Sequence, residues 1–199
     1  ARVYKAVQTT LQRDVAIKVI PAHVDQRADN LFLESFAAEA RMAAALSHPY
    51  IVTIHDFGVS PEWAYLVMEY VQDGSIRDHM AKASERGQRL SLTWSLMALE
   101  QAAQALDYAH QNQVVHRDVK PANMLLRNPN LVVLSDFGVA KILLDRTITR
   151  GAQRPSELTR VVGTPQYMSP EQCRSTCALD GSSDIYSLEI GRASCRARV

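Results

Sequence analysis

The chain has 199 residues, 47% of them hydrophobic and 22% charged, which is the balance of a soluble globular protein with enough apolar side chains for a sizeable core. Its 22 basic and 21 acidic residues leave a formal charge of +1, dispersed along the chain, so neither a nucleic-acid face nor a polybasic membrane patch is implied. No run reaches the roughly 18 consecutive apolar residues of a membrane span, and Cys173, Cys177 and Cys195 lack zinc-like spacing to histidines, which points to reduced thiols in a cytosolic setting.

Alternation over residues 13–20 places Val15, Ile17 and Val19 on one face and Ala16, Lys18 and Ile20 on the other, predicting a half-buried strand. Residues 31–46 carry Leu33, Phe36, Ala37, Ala40 and Ala44 at helical spacing, and Ser47-His48-Pro49 closes that helix. Strands are predicted over 51–57 and 64–71, with a turn at Ser60-Pro61. After Gln72-Asp73-Gly74 the character turns helical, marking a boundary between two parts. Leu92, Leu96, Leu99, Ala103, Leu106 and His110 form an amphipathic stripe, most of it expected to be core. Apolar runs at 124–126 and 131–134, separated by Asn128-Pro129-Asn130, predict a hairpin, and the polar stretch 142–163 predicts a long loop.

One ordered set of residues carries the chemistry. It comprises Val15-Ala16-Ile17-Lys18, Glu39, His116-Arg117-Asp118, Asn123, Asp136-Phe137-Gly138 and Ser169-Pro170-Glu171. In this order the set resembles the protein kinase signature, and the run from Gly163 to Gln172 is most similar to the eukaryotic-like serine/threonine kinases of bacteria. The resemblance implies an α+β, bilobal fold, with a mostly antiparallel sheet in the first lobe and helices in the second, truncated at both ends. It divides the chain into an N-lobe and hinge (1–72, the glycine-rich loop incomplete), a partial C-lobe (73–188) and a tail (189–199). That tail resembles a sequencing-adapter oligonucleotide read in one frame and is expected to be foreign to the domain.

The activity implied for the intact parent enzyme is transfer of the γ-phosphoryl of ATP to Ser or Thr hydroxyls of proteins, with Mg²⁺ or Mn²⁺ and with autophosphorylation, through a kinase homodimer, of the loop after Asp136. On this resemblance Asp118 orients the substrate hydroxyl, Lys120 meets the transferred phosphate, and Lys18, held by Glu39, meets the α/β-phosphates. Glu34 is the rival to Glu39 on the same helix. Asn123 and Asp136 are the metal ligands. Val3, Ala16, Met68 and Leu125 enclose adenine, and Glu69 to Val71 offer it backbone groups; taken singly, Met68 and Leu125 would read as core. Arg117 would pair with a loop phosphate, with Ser156, Thr159 and Thr164 as regulatory candidates. His116 and Phe137 read as structural, and Asp184 as a brace of the catalytic loop. Glu171 is expected to lack its usual arginine partner. A cytoplasmic location follows, with any membrane anchor in a longer parent protein. Two rivals are a scaffolding module that has lost the chemistry and a small-molecule kinase of related fold. Retention of Lys18, Asp118, Asn123 and Asp136 argues against the first, and Lys120, Thr164 and Ser169-Pro170-Glu171 argue against the second.

Overall fold

The computed structural model describes residues 1–21, 26–60, 62–137, 165–174 and 179–196. They form two compact units. The first comprises Ala1–Ser47 and Val52–Tyr70, the second His48–Ile51, Val71–Phe137 and the described residues beyond 163. The expected loop at 142–163, with Ser156 and Thr159, and Thr164 just after it lie outside the described residues.

In the first unit four antiparallel strands run in the order β1 (Arg2–Gln8), β2 (Arg13–Pro21), β4 (Trp63–Glu69), β3 (Ile54–Val59). Helix α1 (Gln26–Ala44) packs against β3 and β4. The strand register decides which side chains share a face, because residues directly opposed across an antiparallel pair point the same way. Ala16 lies opposite Met68, Lys18 opposite Leu66 and Ile20 opposite Ala64. All three partners on β4 are buried, as are Lys18 and Ile20. The face with the valines is the more open one: Ile17 and Val19 are half-buried and Tyr65 is exposed, although Val15 is buried. Hydropathy alone would have chosen the other side of β2, but a strand face is buried by what covers it. Phe36 on α1 is fully buried, with Ala40 and Ala43 along the same helix face. Phe36→Ala is therefore expected to destabilise the protein by about 3–5 kcal/mol, read as a lower urea midpoint, through lost burial and the cavity left behind.

The second unit is mainly helical. Helix α2 (Ile76–Glu85) starts at a capping box in which Ser75 and Asp78 satisfy each other's backbone N–H groups. The Ser75 side chain and backbone hold the Asp78 carboxyl below its ordinary range. Helix α3 (Leu92–Gln111) packs on the hairpin of β5 (Met124–Asn128) and β6 (Leu131–Leu134), and on α5 (Gly181–Arg196). A short helix, α4 (Pro170–Arg174), precedes α5.

The core stripe of α3 is rotated from the expected one. Ala98, Ala102, Ala105, Leu106 and Ala109 are buried, whereas Leu92 and Leu96 are both 53% exposed and Ala103 is exposed. Small residues on the buried side let α3 approach the fully buried Val133 and Leu134 of β6, and that closeness takes precedence over the bulk of the leucines. The hairpin is also tied to α3 by polar contacts. Trp94 Nε1 donates to Pro129 O, Gln101 Nε2 to Asn130 O, and Val132 N–H to Gln101 Oε1. Helix α5 shows no break at Leu188 and continues through the expected tail to Arg196.

Candidate active site

The catalytic loop lies in the second unit, between α3 and β5, and is held by buried hydrogen bonds rather than by regular structure. Asp184, in the first turn of α5, is 1% exposed and accepts the backbone N–H of His116 at 2.8 Å and of Arg117 at 2.7 Å. Its Oδ2 also lies 2.8 Å from His110 Nε2 on α3. The helix can start here because residue 181 is glycine: a Cβ at that position would fall 2.6 Å from His110 Nδ1.

His116 is fully buried, and both ring nitrogens are engaged. Nε2 donates to Ser135 O at 2.8 Å, while Nδ1 accepts the Asp118 N–H at 3.2 Å, which fixes the tautomer. Its ring also contacts Phe137, centroid to centroid at 4.5 Å. Both residues are thus structural in the way the sequence suggests.

These bonds present the Asp118 carboxylate. Lys120 Nζ donates to its Oδ1 at 2.9 Å and Oδ2 at 2.7 Å, and Asn123 Nδ2 donates to Oδ2 at 3.0 Å and to the Asp118 carbonyl at 2.8 Å. The Asp118 side chain remains 23% exposed, so one side of the carboxylate is open to a reactant. With its nitrogen committed to Asp118, the Asn123 amide turns its oxygen the other way. Met124 pairs with Leu134, and Ser135 donates N–H and Oγ to Asn123 O, so Asn123 and Asp136 emerge together from the open end of the hairpin. Asp136 has φ +70° and Arg117 φ +67°, a left-handed backbone that costs a non-glycine residue about 1–3 kcal/mol and marks positions fixed by their surroundings.

Among the described residues no group of three or more His, Cys, Asp or Glu could hold a metal by itself. One carboxylate and one amide oxygen at the end of a hairpin form a hard but incomplete donor set. That set fits a hard divalent cation that completes its shell with water and ligand oxygens.

The first unit carries a group of its own. Val3 lies opposite Lys18 in the β1–β2 register, and Ala16 lies opposite Met68, so Val3, Ala16, Lys18 and Met68 share one face of the sheet. Val3 is 62% exposed there, an apolar side chain with room for an apolar ligand against it. Lys18 and Glu39 are both buried, whereas Glu34 is exposed, which favours Glu39 as the carboxylate that matters. Glu69 ends β4, and Val71 and Leu125 are half-buried in the second unit.

Several partners were missed at the sequence level. Glu171, expected to lack its arginine partner, accepts instead from Ser183 Oγ at 2.6 Å, and that bond holds its carboxyl below the ordinary range. Gln172 reaches the catalytic loop, donating to Arg117 O at 2.8 Å. Only its local pairing was legible, since Ser169-x-x-Gln172 has the form of a capping box.

A family model described as the protein kinase domain matches residues 1–194. The chain belongs to the protein kinase family. Curated relatives include the serine/threonine-protein kinase PrkC of Bacillus subtilis, 38% identical over 96% of this chain and 27% of that protein. Another is the serine/threonine-protein kinase PknB of Mycobacterium leprae, 39% identical over 94% of this chain and 29% of that protein. The chain therefore spans a little over a quarter of the length of these relatives. Among solved structures, the PknI kinase domain of Mycobacterium tuberculosis matches with TM-score 0.73 and 30% identity, covering 97% of this chain and 66% of that one. Rad53 1–466 in complex with AMP-PNP matches with TM-score 0.72 and 26% identity, over 97% of this chain and 43% of that one. Kinase-fold neighbours and the antiparallel-sheet and helical units agree with the expected α+β fold class.

Proposed function

We propose that this kinase domain transfers the γ-phosphoryl group of ATP to Ser and Thr hydroxyls of protein substrates. The observation that carries the reading is the Asp118 carboxylate, partly open, gripped by Lys120 and Asn123 in a loop braced by a buried aspartate. The names of PrkC and PknB support Ser/Thr as the acceptor class, and the nucleotide analogue with Rad53 supports ATP as the donor.

In this reading Asp118 accepts a hydrogen bond from the substrate hydroxyl and aims its oxygen at the γ-phosphorus. Lys120, now on both carboxylate oxygens, is long enough to follow charge as it develops on the transferred group. Lys18, held by Glu39, meets the α/β-phosphates. Val3, Ala16, Met68 and Leu125 enclose the adenine, and the backbone of Glu69 and Val71 reads its edge. Asn123 and Asp136 hold Mg²⁺, or Mn²⁺ in its place, which neutralises charge on the phosphates when bound.

Regulation fits the same loop. Arg117 Nε is, among the buried side-chain nitrogens and oxygens of the described residues, the one without a hydrogen-bond partner. A phosphate on Ser156, Thr159 or Thr164 would supply one, and autophosphorylation between two copies of the domain would install it. The division into parts at 1–72 and 73–188, with 189–199 foreign to the domain, belongs to this reading. So does a cytoplasmic location, where ATP and Mg²⁺ are available and the exposed thiol of Cys173 stays reduced. No described helix is long and apolar enough to cross a membrane.

The test is incubation of the 199-residue chain with radiolabelled ATP, Mg²⁺ and a general protein substrate, followed by phosphoamino-acid analysis. Label on phosphoserine or phosphothreonine is the expected result. Label on phosphotyrosine, or none, would overturn the proposal.

A further inference from the structure

The peptide plane joining Arg117 to Asp118 is fixed at both ends. At one end its N–H, belonging to Asp118, donates to His116 Nδ1 at 3.2 Å. At the other its carbonyl, belonging to Arg117, accepts from Gln172 Nε2 at 2.8 Å. A peptide unit is planar, so these two contacts set the rotation of the whole plane, and that rotation sets where the Asp118 side chain leaves the backbone. The plane follows a residue at φ +67°, a conformation disfavoured for arginine, so it needs external support to stay as it is. Asp184 supplies support on the near side through the Arg117 N–H, and Gln172 supplies it on the far side.

The amide of Gln172 is itself oriented. Its Oε1 accepts the Ser169 N–H at 2.9 Å, and the Ser169 hydroxyl accepts the Gln172 N–H at 3.3 Å. Ser169 is fully buried. The reciprocal pair is a capping box at the start of α4, and it leaves the Gln172 nitrogen free to serve the catalytic loop rather than its own helix. A glutamate at this position could close the same box but could not donate to a carbonyl.

We propose that Gln172 is a positioning residue of the phosphoryl-transfer site, coupling the segment 169–174 to the catalytic loop by holding the Arg117–Asp118 peptide in its reactive orientation. This rests on the kinase activity proposed above. Gln172 touches neither substrate nor nucleotide in this scheme, so its loss acts on kcat and spares ATP binding.

The experiment compares Gln172→Ala and the isosteric Gln172→Glu with the unmodified chain, reading kcat, KM for ATP and amide exchange of residues 116–118. Gln172→Ala is expected to lower kcat about tenfold, the effect of one lost positioning bond amplified by a freed peptide, with KM for ATP within about twofold. Gln172→Glu keeps the acceptor for Ser169 but sets a carboxylate against the Arg117 carbonyl. Its deficit should match or exceed that of the alanine variant near about pH 8, then shrink relative to the parent chain toward about pH 5.5, as a protonated carboxyl regains a donor. Both variants should exchange the Asp118 amide faster. Values of kcat within about twofold of the parent together with unchanged Asp118 exchange would overturn the proposal. Were the parent chain to transfer no phosphate, the activity reading would fall by itself, and amide exchange would still decide whether Gln172 holds the peptide.

Discussion

Asp118→Asn is expected to lower phosphoryl transfer by about 10²- to 10⁴-fold while leaving ATP affinity within about threefold. The substitution is nearly isosteric, so the loop and its brace at Asp184 should persist. What changes is the group presented to the acceptor hydroxyl. An amide oxygen is a much weaker acceptor than a carboxylate, and the amide nitrogen would point a donor where a proton has to be received. Lys120 would also lose the anion that holds it at 2.7 Å and 2.9 Å, which loosens the cation that the proposed mechanism assigns to the transferred phosphate. The measurement pairs initial rates on a Ser/Thr peptide with nucleotide binding followed by fluorescence. A variant keeping a third or more of the parent rate would remove Asp118 from its role, whereas lost nucleotide binding would show that the substitution had damaged the fold instead.

How much of this was legible in the sequence depends on how local the deciding physics is. Strand β2 and the hairpin β5–β6 follow from alternation and turn residues, and α1 and α3 from helical spacing, because each pattern is written within one element. Which face is buried is not local. On β2 the Lys18 face lies inside although the opposite face is more hydrophobic, and on α3 four alanines displace Leu92 and Leu96 from the core. In both cases the covering element decides, and it lies elsewhere in the chain. The site shows the same division. Lys18, Asp118, Asn123 and Asp136 were picked out by an ordered set of motifs, but the left-handed backbones at Arg117 and Asp136 are announced by neither residue type, and at Arg117 the backbone is held by tertiary hydrogen bonds to Asp184 and Gln172. Gln172 was passed over because its capping-box partner is local, while its second bond spans 55 residues. Ser183 as the partner of Glu171 depends likewise on how α5 returns beside α4.

Asp184→Ala is expected to cost about 3–5 kcal/mol of folding stability. The carboxylate lies at 1% exposure and is shared by two backbone N–H groups and the His110 ring. Truncation strands the buried His116 N–H and the part-buried Arg117 N–H, each unpaired buried N–H costing about 1–3 kcal/mol, and takes the acceptor from the partly exposed His110 ring. It also removes a negative charge from the first turn of α5, where the helix dipole favours one. A loss of this size is a large share of the roughly 5–15 kcal/mol that holds a domain folded, so the variant should unfold at a far lower urea concentration. Asp184→Asn should recover only part of it, because an amide offers one acceptor and turns its nitrogen toward the second N–H. Ile185→Ala, on the same helical turn but 46% exposed, is the control and should shift stability by less than about 1 kcal/mol. If the Asp184 and Ile185 variants melted alike, the catalytic loop would have to be held by something other than this buried carboxylate. If instead Asp184→Ala released the His116 and Arg117 amides to fast exchange before global unfolding, the brace would be local, and the strain at Arg117 would be what it restrains.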